Sequence, residues 1–243
     1  MLRKRIFRKL HADNFTNRGA EILRIEALSD AVFAFSVSLL VASLEVPQTF
    51  DELKNIVRGA IPFFATVAII FLLWYQQYIF FRRYGLNDFK IVLLNMIYLA
   101  IILFYVYPLK FMFSILISSW TGLNLFPKAI ESGETILTTQ EFPELIMLFS
   151  IGYCLIWLVL YLMHKRALKK SVSLGLNKYE FFYTKKELNG AIMNAAIGAI
   201  AFILAWLHIA WLSGLTYLLI PVVIILNERN FKSRMRLIEK QLN

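Results

Sequence analysis

Three charged residues, Arg24, Glu26 and Asp30, stand just before a run from Ala31 to Leu44 that carries no charge. Those 14 uncharged residues rise ~21 Å as a helix, short of the ~30 Å hydrocarbon core of a bilayer. A helix that spans from here carries its charged start to the membrane edge or into it. Arg24 and Asp30 lie about 240° apart around the axis and point to different sides. Glu26 and Asp30, four residues apart, repel slightly. Each charge therefore needs a partner on another helix, in water or among headgroups, because a lipid-facing carboxylate is unfavourable. Snorkelling at the interface is the plain alternative, strongest for Arg24.

Other chemistry is sparse. His11, His164 and His208 do not have metal-ligand spacing, and no structural metal site is expected. No serine with a matched base and no glycine-rich nucleotide loop is present, so an enzyme is not expected. Cys154 is the single cysteine, set in an apolar run where packing suits it. No cofactor is expected.

The elements that must position these charges are membrane helices. Hydrophobic residues make up 59% of the chain and charged residues 17%, far from soluble averages. The start, MLRKRIFRKL, is basic without an apolar signal core, so the first apolar run is expected to be retained. Spans are read at 24–46, 59–81, 91–109 (with continuation past Lys110 to Trp120 left open) and 145–163. Residues 188–227 run 40 positions without a charge, ~60 Å of helix, and must fold into a hairpin. Ser213-Gly214 is the natural turn, behind Trp206 and Trp211 at an interface. Pro62, Pro108 and Pro221 could break helices, but no internal repeat is visible. The expectation is an all-α integral membrane protein of six spans: a basic arm (1–23), a six-helix membrane domain (24–228) and a basic tail (229–243).

Lysine and arginine give the orientation. The arm to Arg24 holds seven, the second connection three, the fourth connection seven and the tail five. The other side has Lys54, Arg58 and Lys128, with Lys110 near the outer end of the third span. The positive-inside rule puts both termini in the cytoplasm of a multi-pass protein. The net charge of +10 then reflects anionic lipid, not nucleic acid. The outer loop 127–144 carries Glu131, Glu134, Glu141 and Glu144; a solvated loop is the simpler reading, and gathering cations at an outer mouth the sharper one.

On the first span, Leu28, Val32, Phe35, Leu39 and Val46 share a face, with Ala42 and Arg24 near its edge. Ala27, Ser29, Ala31, Ala34, Ser36, Ser38, Ala42 and Ser43 are small or hydroxylated and let neighbouring helices approach. Periodicity alone leaves the apolar face as either core or the lining of an axis.

Arg24-Ile-Glu-Ala-Leu28-Ser29-Asp30 resembles the Arg-x-x-x-Phe-Ser-Asp signature of potassium channels without a pore loop, the transmembrane protein 175 type of lysosomes and prokaryotes. Leu28 stands where Phe is usual. WYQQYIFFR (74–82) resembles the family's second-helix segment, with Gln77 where His is common, and Asn95 and Pro108 fit its third helix. One copy of the motif matches the single-repeat prokaryotic form.

The resemblance implies a homotetramer, three further copies joining this chain, with the first helices around a central pore. It places the hydrophobic constriction at Phe35, Leu39 and Ala42 and an ion-selecting hydroxyl at Ser38. Phe35 replaces a smaller aliphatic residue and Ala42 a larger one, so the narrowest point shifts lower or tightens. Back-bonding of Ser38 to its own helix is the ordinary alternative. Arg24, Ser29 and Asp30 would lock the helix, Asp30 acting as a hub with Gln76, Gln77 or Asn95 as partners. The expected function is a potassium-permeable cation channel of the prokaryotic cell membrane, passing monovalent cations. A proton leak or a secondary cation transporter is the alternative.

Overall fold

The structure, a computed structural model, describes residues 15–19, 21–42, 46–127, 129, 132, 133 and 135–242, with side chains through Met235. Arg3, Lys4, Arg5, Arg8, Lys9, His11, Ser43, Leu44, Lys128, Glu131 and Glu134, and the side chains of Arg236 and Lys240, lie outside the described residues.

The regular elements among the described residues are helices, in the order α1 (Arg24–Ala42), α2 (Phe50–Arg58), α3 (Ala60–Tyr84), α4 (Phe89–Thr121), α5 (Glu141–Lys169), α6 (Lys178–Trp206), α7 (Ala210–Leu215) and α8 (Leu219–Leu242). A 3-10 turn, Thr216–Leu218, joins the last two. Six stretches are long and apolar enough to cross a membrane: α1, α2–α3 together, α4, α5, α6, and Ala210–Met235.

Several boundaries differ from the sequence reading. The third span does pass Lys110, running to Thr121 with Pro108 inside it, and Gly122 caps it. The fifth begins at Lys178, ten residues before the charge-free run, because Asn177 and Glu180 form a capping box: the Asn177 side chain accepts from the Glu180 amide and Glu180 accepts from the Asn177 amide. α2 was not expected. Thr49 caps it by accepting from Glu52 N at 3.2 Å, and Phe50, Leu53 and Val57 leave an exposed apolar stripe.

The turn at Ser213-Gly214 is wrong. The chain reverses at 207–209 instead, with His208 in the left-handed region at φ 59°. Ser213 is fully buried and donates to Ala201 O at 2.6 Å. Its hydroxyl is needed inside the hairpin to tie α7 to α6, so it cannot serve as a solvent turn. Tyr217 donates to Ser150 Oγ at 2.8 Å and fixes the return to α5.

α5 and α6 pack along most of their length, with Tyr153 donating to Asn194 Oδ1 at 2.8 Å across them. α1 packs against α3 and α4, and α8 against α6. The main apolar core, including Phe33, Leu40, Phe80, Tyr98 and Ile156, runs between α1, α3, α4 and α5.

The residues before α1 form a strap across the basic end. Arg18 N and Gly19 N both donate to Arg82 O at 3.1 Å, and Arg82 Nη1 returns a bond to Gly19 O at 2.7 Å. A Cβ on Gly19 would meet Phe81 O at 2.4 Å, so only glycine permits this approach. Gly85, at φ +57°, ends α3 beside Arg18. Glu180, with no exposed side chain, accepts from Thr16 N at 2.7 Å and from Arg18 Nη2 at 2.6 Å and Nη1 at 3.2 Å. Arg18 also donates to Leu174 O and Gly175 O. The strap thus joins the start of α1 to the end of α3 and to the α5–α6 connection.

Candidate functional site on the first span

One side of α1 is buried and polar where it meets two other spans. Ser29, 1% exposed, donates to Ile25 O at 2.7 Å and accepts from Gln77 Nε2 at 2.7 Å and Asn95 Nδ2 at 3.0 Å. Gln77 Nε2 also donates to Asn95 Oδ1. One hydroxyl donor and both acceptor sites are filled, so the buried group is satisfied. A residue from each of α1, α3 and α4 meets there, a polar tie of the kind that holds membrane helices together.

The hub is therefore Ser29 and not Asp30. Asp30 lies to the side and accepts from Trp74 Nε1 at 2.7 Å, a partner the sequence reading did not name. Gln76 is exposed and makes no hydrogen bond to this cluster among the described residues. Glu26 is buried and accepts from Leu23 N at 3.1 Å, closing the first turn of α1. Glu26 and Asp30 border a cleft of about 70 Å³ with Trp74, Gln77 and Arg82. Arg24 is exposed and makes no ion pair among the described residues.

The opposite side of α1 is bare. Ile25, Glu26, Ser29, Phe33, Ser36 and Leu40 are buried, whereas Leu28, Ala31, Phe35, Ser38 and Ala42 are exposed. Phe35 is 56% exposed. Leu39 sits at the edge, half-buried. At 100° per residue, Arg24, Ala31, Phe35, Ser38 and Ala42 fall within one narrow stripe. Ser38 donates to Ala34 O at 3.0 Å, so its proton is spent on the helix and oxygen lone pairs remain to accept or coordinate. A stripe of this composition offers an apolar wall interrupted by one hydroxyl oxygen, with no acid or carbonyl ring.

The family model described as the endosomal/lysosomal potassium channel TMEM175 matches residues 24–105, from α1 into α4. A protein of Marivirga tractuosa named "Potassium channel" is 37% identical over 234 residues, 93% of this chain and 94% of its own. The crystal structure of the potassium channel MtTMEM175, a Thr-to-Ala variant bound to a nanobody–MBP fusion, matches with a TM-score of 0.80 at 36% identity, over 90% of this chain and 98% of that one. A TMEM175 homologue from Chamaesiphon minutus, described as a lysosomal potassium-selective channel, shares the fold at a TM-score of 0.53 and 21% identity, over 84% of this chain and 96% of its own. These relatives are ion channels, not enzymes.

Proposed function

Because the chain belongs to the TMEM175 family of potassium channels, we propose that it conducts potassium through a pore built from the exposed stripe of α1. Four copies surround one axis, each turning Phe35, Ser38 and Ala42 inward, with Leu39 at the edge. The observation that carries this reading is the division of α1: its polar groups are satisfied on the buried side, while an exposed apolar stripe has no partner among the described residues.

Phe35 and Leu39 close the pore by dewetting, since an ion there loses hydration without compensation. The Ser38 oxygens, one from each copy, replace part of the hydration shell. Potassium is the permeant species, and no cofactor takes part. The basic ends face the cytoplasm of a prokaryotic cell, as the positive-inside rule requires. A transporter is disfavoured by the unbroken course of α1 over 19 residues, since transporter sites favour interrupted helices.

Purified protein in planar bilayers under a potassium/sodium gradient tests this. Unitary currents reversing toward the potassium potential are expected. Phe35→Ala or Leu39→Ala should raise leak conductance, and Ser38→Ala should move the reversal potential toward zero while current persists. Saturable flux without unitary events, or a reversal potential that tracks pH alone, would overturn the proposal.

A further inference from the structure

A second site lies far from the stripe, between α6 and α8 at the basic end of the membrane domain. These two helices enclose a cleft of about 200 Å³. Lys185 on α6 and Arg234 on α8 border it, and neither has an ion-pair partner among the described residues. Lys186 also lines it, but its charge is engaged: Nζ lies 2.6 Å from Glu228 Oε2 and over the rings of Tyr183 and Phe231. Glu187, 3.9 Å from the same Nζ, and Lys232, 3.5 Å from Glu228, complete the nearby charges.

The cleft changes character along the membrane normal. Asn189 and Asn230 border it with side-chain amides that make no hydrogen bond among the described residues. Asn227 is used, donating to Lys186 O at 2.9 Å and holding the two helices together. Deeper in the span, Ile192 and Met193 line it and remain substantially exposed. They stand seven and eight residues beyond Lys185, ~11 Å along the helix. Two free cations and two free amides thus sit above an open apolar floor. That order matches an amphiphile whose anionic head lies at the water boundary and whose chains run along the helix.

We propose that this cleft binds the phosphate-bearing headgroup of an anionic membrane lipid. Lys185 and Arg234 neutralise the phosphate, Asn189 and Asn230 donate to its oxygens, and an acyl chain covers Ile192 and Met193. Basic recesses between spans are suited to such headgroups, because the low-dielectric walls strengthen each contact. A lipid there would cross-link α6 to α8, adding to the Asn227 hydrogen bond and the Lys186–Glu228 ion pair.

The test is native mass spectrometry of the full chain in detergent, titrated with dioleoyl-phosphatidylglycerol or dioleoyl-phosphatidylcholine. The two share chains and differ in net headgroup charge. Phosphatidylglycerol should bind more tightly. Lys185→Gln with Arg234→Gln should weaken it on the order of thirtyfold, about fivefold per cation. Both side chains are at the surface, so the fold is retained. Lys90→Gln with Lys169→Gln removes the same charge from α4 and α5, neither of which lines the cleft, and should leave affinity within about twofold, as a screened change. Equal binding of the two lipids, or equal loss in both double variants, would refute a built site. Displacement of phosphatidylglycerol by millimolar inorganic phosphate would assign the cleft to a free anion and overturn the lipid.

Discussion

Ser29 shows how one hydroxyl can decide the arrangement of three helices. Its removal strands the Gln77 and Asn95 amides, both buried, with only each other. Ser29→Ala should lower stability by about 1–3 kcal/mol, the penalty for unsatisfied buried polar groups. The measurement is a thermal melt in detergent, with exposed Gln76→Ala as the silent comparison. At this scale the sequence was legible in part. Ser29, Gln77 and Asn95 stood out as polar residues in apolar runs, where each needs a partner. The pairing of Asp30 with Trp74 was not legible: an indole in a membrane helix reads first as an interfacial anchor, and nothing local announces which acid it meets.

Among elements, the strap is the feature least visible beforehand. Arg18 and Glu180 are 162 residues apart, and no local pattern links them. Glu180 was hidden by a charge-based span boundary, although the Asn177-to-Glu180 capping box was readable and would have placed the helix start correctly. Glu180→Gln leaves Arg18 poorly compensated against a buried site. It should destabilise by about 3–5 kcal/mol, the range for breaking a buried ion pair. Faster limited proteolysis before α1 and a lower melting temperature would show it; unchanged digestion would mean the strap is held by its backbone bonds alone.

A second inter-element tie depends on pH. Asp88, capping α4, lies 3.0 Å from Lys170 Nζ and 3.3 Å from Arg166 Nε at the end of α5. Partial desolvation works against ionisation, but the close Lys170 contact and the Arg166 and Lys170 charges outweigh it and hold the carboxyl below its ordinary 3.8. A depressed folded value means the stabilisation is present above the unfolded value and lost as pH falls through the folded one. The protein should therefore melt above Asp88→Asn at pH 7, and the gap should shrink progressively below about pH 4. A gap independent of pH would assign the effect to the cap alone.

Across the whole molecule, the six spans were legible because charge-free runs of sufficient length leave few other solutions. The hairpin turn was not, because its left-handed residue is His208 and lacks the usual glycine signal. Assembly is the other large-scale question. With Arg24 making no ion pair among the described residues and aligned with Phe35, its partner in the proposed tetramer comes from a neighbouring copy. Arg24→Ala should then leave the monomer folded, with helical content unchanged, while shifting light-scattering mass from four times 28.3 kDa toward a single chain. A tetramer of undiminished stability would place Arg24 at the interface with lipid and water.

The fixing of α1 at its near end gives the proposed pore the mechanics of a cantilever. The strap and the Ser29 and Asp30 contacts anchor the first third of the helix. Farther along, the hydroxyls of Ser36 and Ser38 bond within α1 itself, and Phe33 and Leu40 are buried in the apolar core. Pivoting about Ser29, Ser38 lies ~13.5 Å out and Ala42 ~20 Å out, so a tilt of about 5° displaces them by ~1.2 and ~1.7 Å. The bore between opposed copies changes by twice that, ~2.4 to ~3.4 Å, comparable to the diameter of a water molecule. In the proposed pore, small angular play at the anchored end would thus be amplified where ions would cross, and the packing of Phe33, Ser36 and Leu40 sets how far the lining helix can swing.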